Sequence, residues 1–474
     1  MPQEVMAKLR ATVQVERGTA AKVSVAVGVF FALLLLPLPG SLPPEGRRVL
    51  AIMGLAVMLW VTDLLAPALT GLLAVVLLVI LKGVPDLRSA LTGFASPVAY
   101  FVIGILGLGM GMSRSGLAER VASRLTAWAR GNPRLLYWQM LLSYVPMTFM
   151  LPSATTRNGI QIPVYNRVLE RWGVPSDSLL ARAVTLALGS LNRLSSTALL
   201  TGGTAPVAAA GLIGGMSWSR WFLLLGVPYY VLLFAGGFIV YVWYRKGFSV
   251  TPRETSAAAK RPWTGVEARA LAIALLTSAL WATDFLHHLP PEVPALLALV
   301  LLLMPKIGVL QWAEFERNMS WATFVVLATS LSLAGAMTGS GVAQWLAEGI
   351  RGAVRPLMGS PLALIMGLMA VCAGVRLFIP SIVGYLSLTM PVAMSLGQAI
   401  GLNPVVCGLV ALIAGDAAQF YAAAGGSGVI AYGNSDVSGG EIFRLAVVMA
   451  LLAFVMVAVV ALPWWALMGE PLVR

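Results

Sequence analysis

The stretch Leu151-Pro152-Ser153-Ala154-Thr155-Thr156-Arg157-Asn158-Gly159 decides the fold. It separates two apolar arms, Leu135 to Leu151 and Asn158 to Leu169. A proline and a serine at the junction stop one helix and cap the next. At about 1.5 Å per residue the arms reach roughly 25 and 18 Å, short of a hydrocarbon core about 30 Å thick. Basic residues flank both outer ends, Arg130 and Arg134 on one side and Arg167 and Arg171 on the other. The expected shape is a re-entrant hairpin over 134–172 that turns at Pro152-Ser153 and leaves by the face it entered.

The same pattern returns further along the chain. Leu151-Pro152-Ser153 with Pro163-Val164 is echoed by Ile379-Pro380-Ser381 with Pro391-Val392, an offset of 381 − 153 = 228. Gly202-Gly203-Thr204 returns as Gly425-Gly426-Ser427, an offset of 425 − 202 = 223. Arg48-Val49-Leu50-Ala51-Ile52 followed by Leu59-Trp60-Val61-Thr62-Asp63 returns as Arg269-Ala270-Leu271-Ala272-Ile273 followed by Leu280-Trp281-Ala282-Thr283-Asp284, an offset of 284 − 63 = 221. One order at one interval means two homologous units. The expected division is an N-terminal segment and first helix (1–44), a first unit (45–244), a linker (245–262) and a second unit (263–474) whose hairpin covers 357–399. Five crossings per unit, an odd number, invert the second unit relative to the first.

Composition agrees with this reading. The 474 residues are 59% hydrophobic and 11% charged, with mean hydropathy +0.86, which excludes a soluble globular chain. The long continuous apolar runs exclude a β-barrel and leave room for roughly ten to twelve helical crossings. A net charge of +13 comes from basic groups placed between apolar runs: Lys8, Arg10, Arg17 and Lys22; Arg120, Arg124, Arg130 and Arg134; Arg245, Lys246, Arg253, Lys260 and Arg261. That is the positive-inside distribution and not a nucleic-acid footprint. It predicts a multi-pass protein of the cell's inner membrane with a cytoplasmic N-terminus. The first apolar run ends at Leu36-Pro37-Leu38-Pro39-Gly40 and reads as an uncleaved helix. Cys372 and Cys407 in apolar segments and the adjacent His287-His288 offer neither a disulfide framework nor a metal cluster.

Inverted repeats with broken helices meeting at the midplane are the construction of secondary transporters, and irregular backbone at that depth must face protein or a water-filled cavity. The tips and the glycine breaks are therefore expected to converge on one site. Helix N-termini favour an anion, which nominates Ser153, Ala154, Thr155, Thr204, Ser381 and Ser427 as substrate contacts. Half-helices ending there offer oxygens to a small cation, and this assigns a sodium role to Ser153, Gly202, Gly203, Ser381, Gly425 and Gly426. Arg157, one turn past the first tip, is expected to clamp a carboxylate in bidentate fashion. Asp416, inside an apolar run, reads either as a coupling-ion carrier or as the partner of Arg193 or Arg376, which themselves read as structural. Trp60 and Trp281 read as interface anchors or packing residues, and Asp63 and Asp284 as helix-end residues.

The chain resembles the divalent-anion/sodium symporter family of di- and tricarboxylate and sulfate carriers, from about Glu45 to Arg444. The likeness rests on Leu59-Trp60-Val61-Thr62-Asp63 with Pro67-Ala68-Leu69-Thr70, Gly93-Phe94-Ala95-Ser96-Pro97, Ser115-Gly116-Leu117-Ala118-Glu119-Arg120 and Ser217-Trp218-Ser219-Arg220-Trp221 with Gly226 and Pro228. The resemblance implies an all-α protomer of about eleven transmembrane helices and two re-entrant hairpins, commonly a homodimer, working as an elevator. It also implies Ser-Asn-Thr at each tip, touching sodium and a substrate carboxylate. Here the tips read Ser153-Ala154-Thr155 and Ser381-Ile382-Val383, with both asparagines missing. The first tip is more similar to the Pro-Ser-Asn-Thr-Ala-Arg-Gly-Gly tip of 2-oxoglutarate/malate and citrate/succinate exchangers.

The function expected from these residues is secondary active transport of small dianions, coupled to sodium, protons or a counter-anion, with no other cofactor. A sodium/proton or arsenite-type exchanger shares the architecture. An anion channel would want a continuous lined pore, and a membrane enzyme a nucleophile–base pair or metal cluster; the chain supplies neither.

Overall fold

Proline and hydroxyl residues set where the helices begin. In this computed structural model, which describes residues 3–35, 37, 42–251, 262–354, 359–422, 425–433 and 435–473, prolines occupy the first turns of the helices starting at Pro44, Pro67, Pro97, Pro133, Pro361 and Pro404. A first-turn proline lacks only an N–H that the helix leaves unpaired anyway. Ser178, Ser217, Ser360 and Ser438 supply side-chain caps. No β-strand occurs among the described residues, and the chain is an all-helical polytopic membrane protein.

After the N-terminal helix Gln3–Leu35, the first unit runs through helices Pro44–Thr62, Pro67–Ile80, Pro97–Ser115 and Leu117–Trp128. The first hairpin follows, with arms Pro133–Met150 and Ala154–Arg171. Next comes an interrupted helix: Leu179–Leu186, a π turn at Ala187–Leu191, Asn192–Ala198, a break, and Thr204–Ile213. Helix Trp218–Trp243 closes the unit. The second unit repeats the order with Gly265–Ala282, Glu292–Leu303, Trp321–Gly339, Val342–Val354, hairpin arms Pro361–Phe378 and Ile382–Ala399, the interrupted pair Pro404–Asp416 and Gly426–Tyr432, and Gly439–Leu467. Arg253, Lys260 and Arg261 of the linker lie outside the described residues.

One expectation is corrected. Each hairpin arm has 18 residues, because the second arm of the first hairpin begins at Ala154 rather than Asn158. At about 1.5 Å per residue that is roughly 27 Å, and both arms of the second hairpin are long and apolar enough to cross a membrane. Arm length is thus no argument for re-entry. The helix break at each Pro-Ser and the contacts between arms show a helical hairpin. Gln161 donates to Ser143 Oγ at 3.1 Å and to Met147 Sδ at 3.0 Å, so the chain folds back on itself around Ser153. In the second hairpin the Arg376 guanidinium stands 6.0 Å from the centre of the Tyr385 ring, on the far side of Ser381.

The units interlock. Gly426–Tyr432, beyond the second break, packs on the first hairpin's arm Ala154–Arg171, and Thr204–Ile213, beyond the first break, packs on the second hairpin's arm Ile382–Ala399. Reciprocal exchange of equivalent elements is the signature of a two-fold relation between the units. Trp60, expected as an interface anchor or packing residue, is buried against the second hairpin: a methyl group on Gly384 would lie 2.7 Å from its ring.

Candidate functional site

Ser153 and Ser381 cap the two second arms. Each hydroxyl accepts from the backbone N–H three residues on, Thr156 and Gly384 respectively, at 3.2 Å. Both serines, Ala154 and Thr204 are half-buried, Thr155 is exposed and Ser427 buried. At the first tip Thr155 meets the second unit's break directly, since a Cβ on Gly426 would lie 3.0 Å from Thr155 Oγ1. Gly203 and Gly425 run with extended backbone into the helices that follow them. Gly202 is buried against the Ser196 carbonyl, where no side chain fits. Ala424, at the edge of the second break, lies outside the described residues.

Polar contacts, linked through the chain neighbours Asn192-Arg193 and Gly415-Asp416, run from one tip to the other. Arg157 is fully buried. Its Nη1 donates to the Leu151 carbonyl at 2.7 Å, its Nε to Asn192 Oδ1 at 2.8 Å, and its Nη2 to the Asn192 carbonyl at 3.1 Å and to Ser196 Oγ. Asn192 Nδ2 reaches the Ala154 carbonyl at 3.2 Å and the side chain of Asn158, which in turn donates to the Ser427 carbonyl at 3.0 Å. Next along the helix, Arg193 Nη1 donates to Asp416 Oδ1 at 2.9 Å, while Thr197 Oγ1 donates to Oδ2 at 2.6 Å. Beside Asp416, the Gly415 carbonyl accepts from Arg376 Nε at 2.8 Å. Arg376 Nη1 then donates to the carbonyls of Ile379 and Pro380, immediately before Ser381.

Two expected site residues are placed by these contacts. Arg157 is engaged by protein groups on Nε, Nη1 and Nη2 and is closed off in this conformation, so its clamp role calls for rearrangement while its charge acts in place. Of the alternatives open for Asp416, pairing is the one observed, with Arg193. Arg376 is structural as expected, holding the last turn before the second tip. Arg193 itself keeps Nε and Nη2 buried without a partner. Asn158, Asn192, Ser196 and Thr197 carry no expected part; for Asn192, Ser196 and Thr197 the signal is a polar stripe, Ser190 to Thr197, inside an otherwise apolar helix, and Asn158 follows Arg157 on the hairpin arm.

Charge decides what this centre can hold. Along these contacts lie three arginines, Arg157, Arg193 and Arg376, and, among the described residues, one acid, Asp416, so their formal balance is 3 − 1 = +2. Buried charge is costly unless compensated, and a net positive centre under two helix N-termini suits an anion.

Residues 18–470 match the model of the family described as sodium:sulfate symporter transmembrane region. The chain belongs to this family. It is 24% identical to the "Citrate/succinate antiporter" of Escherichia coli K12, over 93% of this chain and 96% of that one. It is 23% identical to the "Dicarboxylate transporter 2.2, chloroplastic" of Arabidopsis thaliana, over 94% and 84%, and 24% identical to the Escherichia coli "L-tartrate/succinate antiporter", over 97% and 95%. Among solved structures, the YdaH transporter of Alcanivorax borkumensis superposes with a TM-score of 0.51 at 16% identity, covering 81% of this chain and 88% of that one, a likeness of fold. As a member of the family the chain is a membrane transporter and not an enzyme. At Ala154, where the family's tip asparagine is expected, this member brings Asn192 to the backbone from the interrupted helix.

Proposed function

We propose that the protein exchanges small dicarboxylate dianions across the membrane, one bound dianion for another, without sodium. The observation that carries this reading is the net charge of +2 between the hairpin tips. A dianion neutralises that centre. Left without its dianion, the +2 centre is uncompensated charge in a low-dielectric interior, costly to carry through the bilayer in either direction, and against 100 mV it costs about 4.6 kcal/mol more, at about 2.3 kcal/mol per charge; the dianion-loaded centre carries no net charge across. The same positive centre disfavours a cation, which agrees with tips that lack both asparagines. Citrate, succinate and tartrate, named in the relatives, bear the carboxylates such a centre suits.

In this reading the Ser153 and Ser381 tips, Thr155, Thr204 and Ser427 surround the substrate, and the glycine breaks at Gly202-Gly203 and Gly425-Gly426 supply flexible backbone and not sodium ligands. The second unit lies inverted, the N-terminus faces the cytoplasm, and a homodimer of about eleven crossings per protomer works as an elevator. The test is uptake of labelled succinate into proteoliposomes. Vesicles preloaded with succinate or L-tartrate should take up label at least tenfold faster than empty ones, unchanged when choline replaces sodium. Equal uptake into empty vesicles, or strict sodium dependence, would refute exchange.

A further inference from the structure

We propose that the corner of the second unit around Lys306 binds the phosphate of an anionic lipid headgroup. The repeat supplies an internal control. In the first unit Lys82, just past helix Pro67–Ile80, has a left-handed backbone (φ 56°), and Arg48 Nη1 donates to its carbonyl at 3.1 Å, closing the corner. The second unit carries the same pair as Arg269 (269 − 48 = 221) and Lys306 (306 − 82 = 224), and Lys306 is again left-handed (φ 70°). Here the closing bond is missing. Among the described residues nothing accepts a hydrogen bond from Arg269, and its Nε is buried without a partner.

In place of the closed corner stands a cavity of about 500 Å³ lined by Arg114, Arg269 and Lys306, with Leu303, Met304 and Trp312 among its apolar walls. Arg114 is tied through Nε to Glu314 at 2.9 Å. Three cations thus face the cavity with one acid at its edge. Only the Nε of Arg269 is closed off; its Nη groups, for which nothing among the described residues accepts, are left to the cavity, and a phosphate offers several charge-assisted acceptors to such a cluster. A lipid is favoured over a soluble phosphate by the surroundings. The cavity lies at the ends of the helices Pro97–Ser115 and Glu292–Leu303, where headgroups sit, and Trp312 is 62% exposed beside it. Tryptophan and basic residues together are what the headgroup layer selects. The cavity shares its end of Gly265–Ala282 with Arg120 and Arg124, both stacked on Trp263, which places it on the basic-loop face.

The experiment measures lipid binding to the purified full chain by native mass spectrometry and by thermal unfolding, using phosphatidylglycerol, phosphatidylcholine and inorganic phosphate in parallel. Arg269→Gln removes the unpartnered group without breaking a contact; Lys306→Asn keeps a residue that tolerates left-handed backbone; Arg48→Gln alters the closed corner as a control. Phosphatidylglycerol should bind and stabilise the wild type, with affinity at least tenfold weaker in Arg269→Gln and in Lys306→Asn and unchanged in Arg48→Gln. All variants should unfold like the wild type in phosphatidylcholine, except Arg48→Gln, which loses a bond. Equal binding of both lipids, undiminished phosphatidylglycerol binding by Arg269→Gln, or full reproduction of the effect by inorganic phosphate alone would overturn the proposal. Exchange activity is not the readout, so the lipid site stands or falls apart from the transport reading.

Discussion

Arg193 and Asp416 form an ion pair 2.9 Å long across 416 − 193 = 223 positions, the interval that also separates Gly202 from Gly425. Two residues related by the internal repeat can touch each other only on or near the axis that relates the units. The pair joins the interrupted helices of the two units. What the repeat places there is one cation and one anion, so the site's charge is set by the arginines around it.

Breaking this pair should be severe and partly reversible. Asp416→Asn leaves a buried guanidinium uncompensated, a loss of about 3–5 kcal/mol for a buried pair. Adding Arg193→Gln to Asp416→Asn should recover a substantial part of the thermal stability lost by the single variant, as a double-mutant cycle would show. Simple additivity of the two losses would mean that the pair does not couple.

Arg376 offers a test of charge separate from contact. Arg376→Lys keeps the charge, whereas Arg376→Gln lowers the balance from +2 to +1, so a dianion-loaded carrier becomes singly negative. Exchange by Arg376→Gln should then depend on an imposed membrane potential, by about 2.3 kcal/mol per 100 mV for a charge that crosses the full field. Exchange by Arg376→Lys and by the wild type should not. The measurement is exchange rate in vesicles clamped with potassium and valinomycin.

The two glycines of the first break should behave differently although they are neighbours. A methyl group on Gly202 would be driven into the Ser196 carbonyl, while one on Gly203 would meet only the Ser196 Cβ at 3.6 Å, an ordinary contact. Gly202→Ala should cost about 1–3 kcal/mol of stability, typical of overpacking, and abolish exchange. Gly203→Ala, in extended backbone, should be nearly neutral in stability. Thermal unfolding with and without succinate checks both.

Gly384 seats the Trp60 ring on the second hairpin. Gly384→Ala should destabilise the protein by about 1–3 kcal/mol, and adding Trp60→Phe, a smaller ring, should relieve part of the loss. Equal losses with and without Trp60→Phe would place the origin of the effect elsewhere.

The repeat, the Pro-Ser tips, the glycine breaks and the order of helices were legible in the sequence because each is a local chemical event: a stop, a cap, a loss of side chain. The second arm of the first hairpin, read from Asn158, comes out too short, because its helix starts at the Ser153 cap and runs through Asn158-Gly159. The partners of Arg157 and Asp416 were not legible. Those contacts cross 35 and 223 positions, and no local pattern says which of three arginines meets the single acid. Trp60 was half-read, since it sits near a helix end like an interface residue but packs inward on a glycine of the other unit.

The central claim, that the positive centre between Ser153 and Ser381 makes an empty carrier immobile and a dianion-loaded one neutral, is tested most directly by the charge moved per turnover. Currents should be recorded from proteoliposomes on a solid-supported membrane during succinate exchange and during succinate addition to empty vesicles, each with and without sodium. Exchange should move no steady net charge, and empty vesicles should show no sustained current in either salt. A sodium-dependent inward positive current into empty vesicles would contradict it.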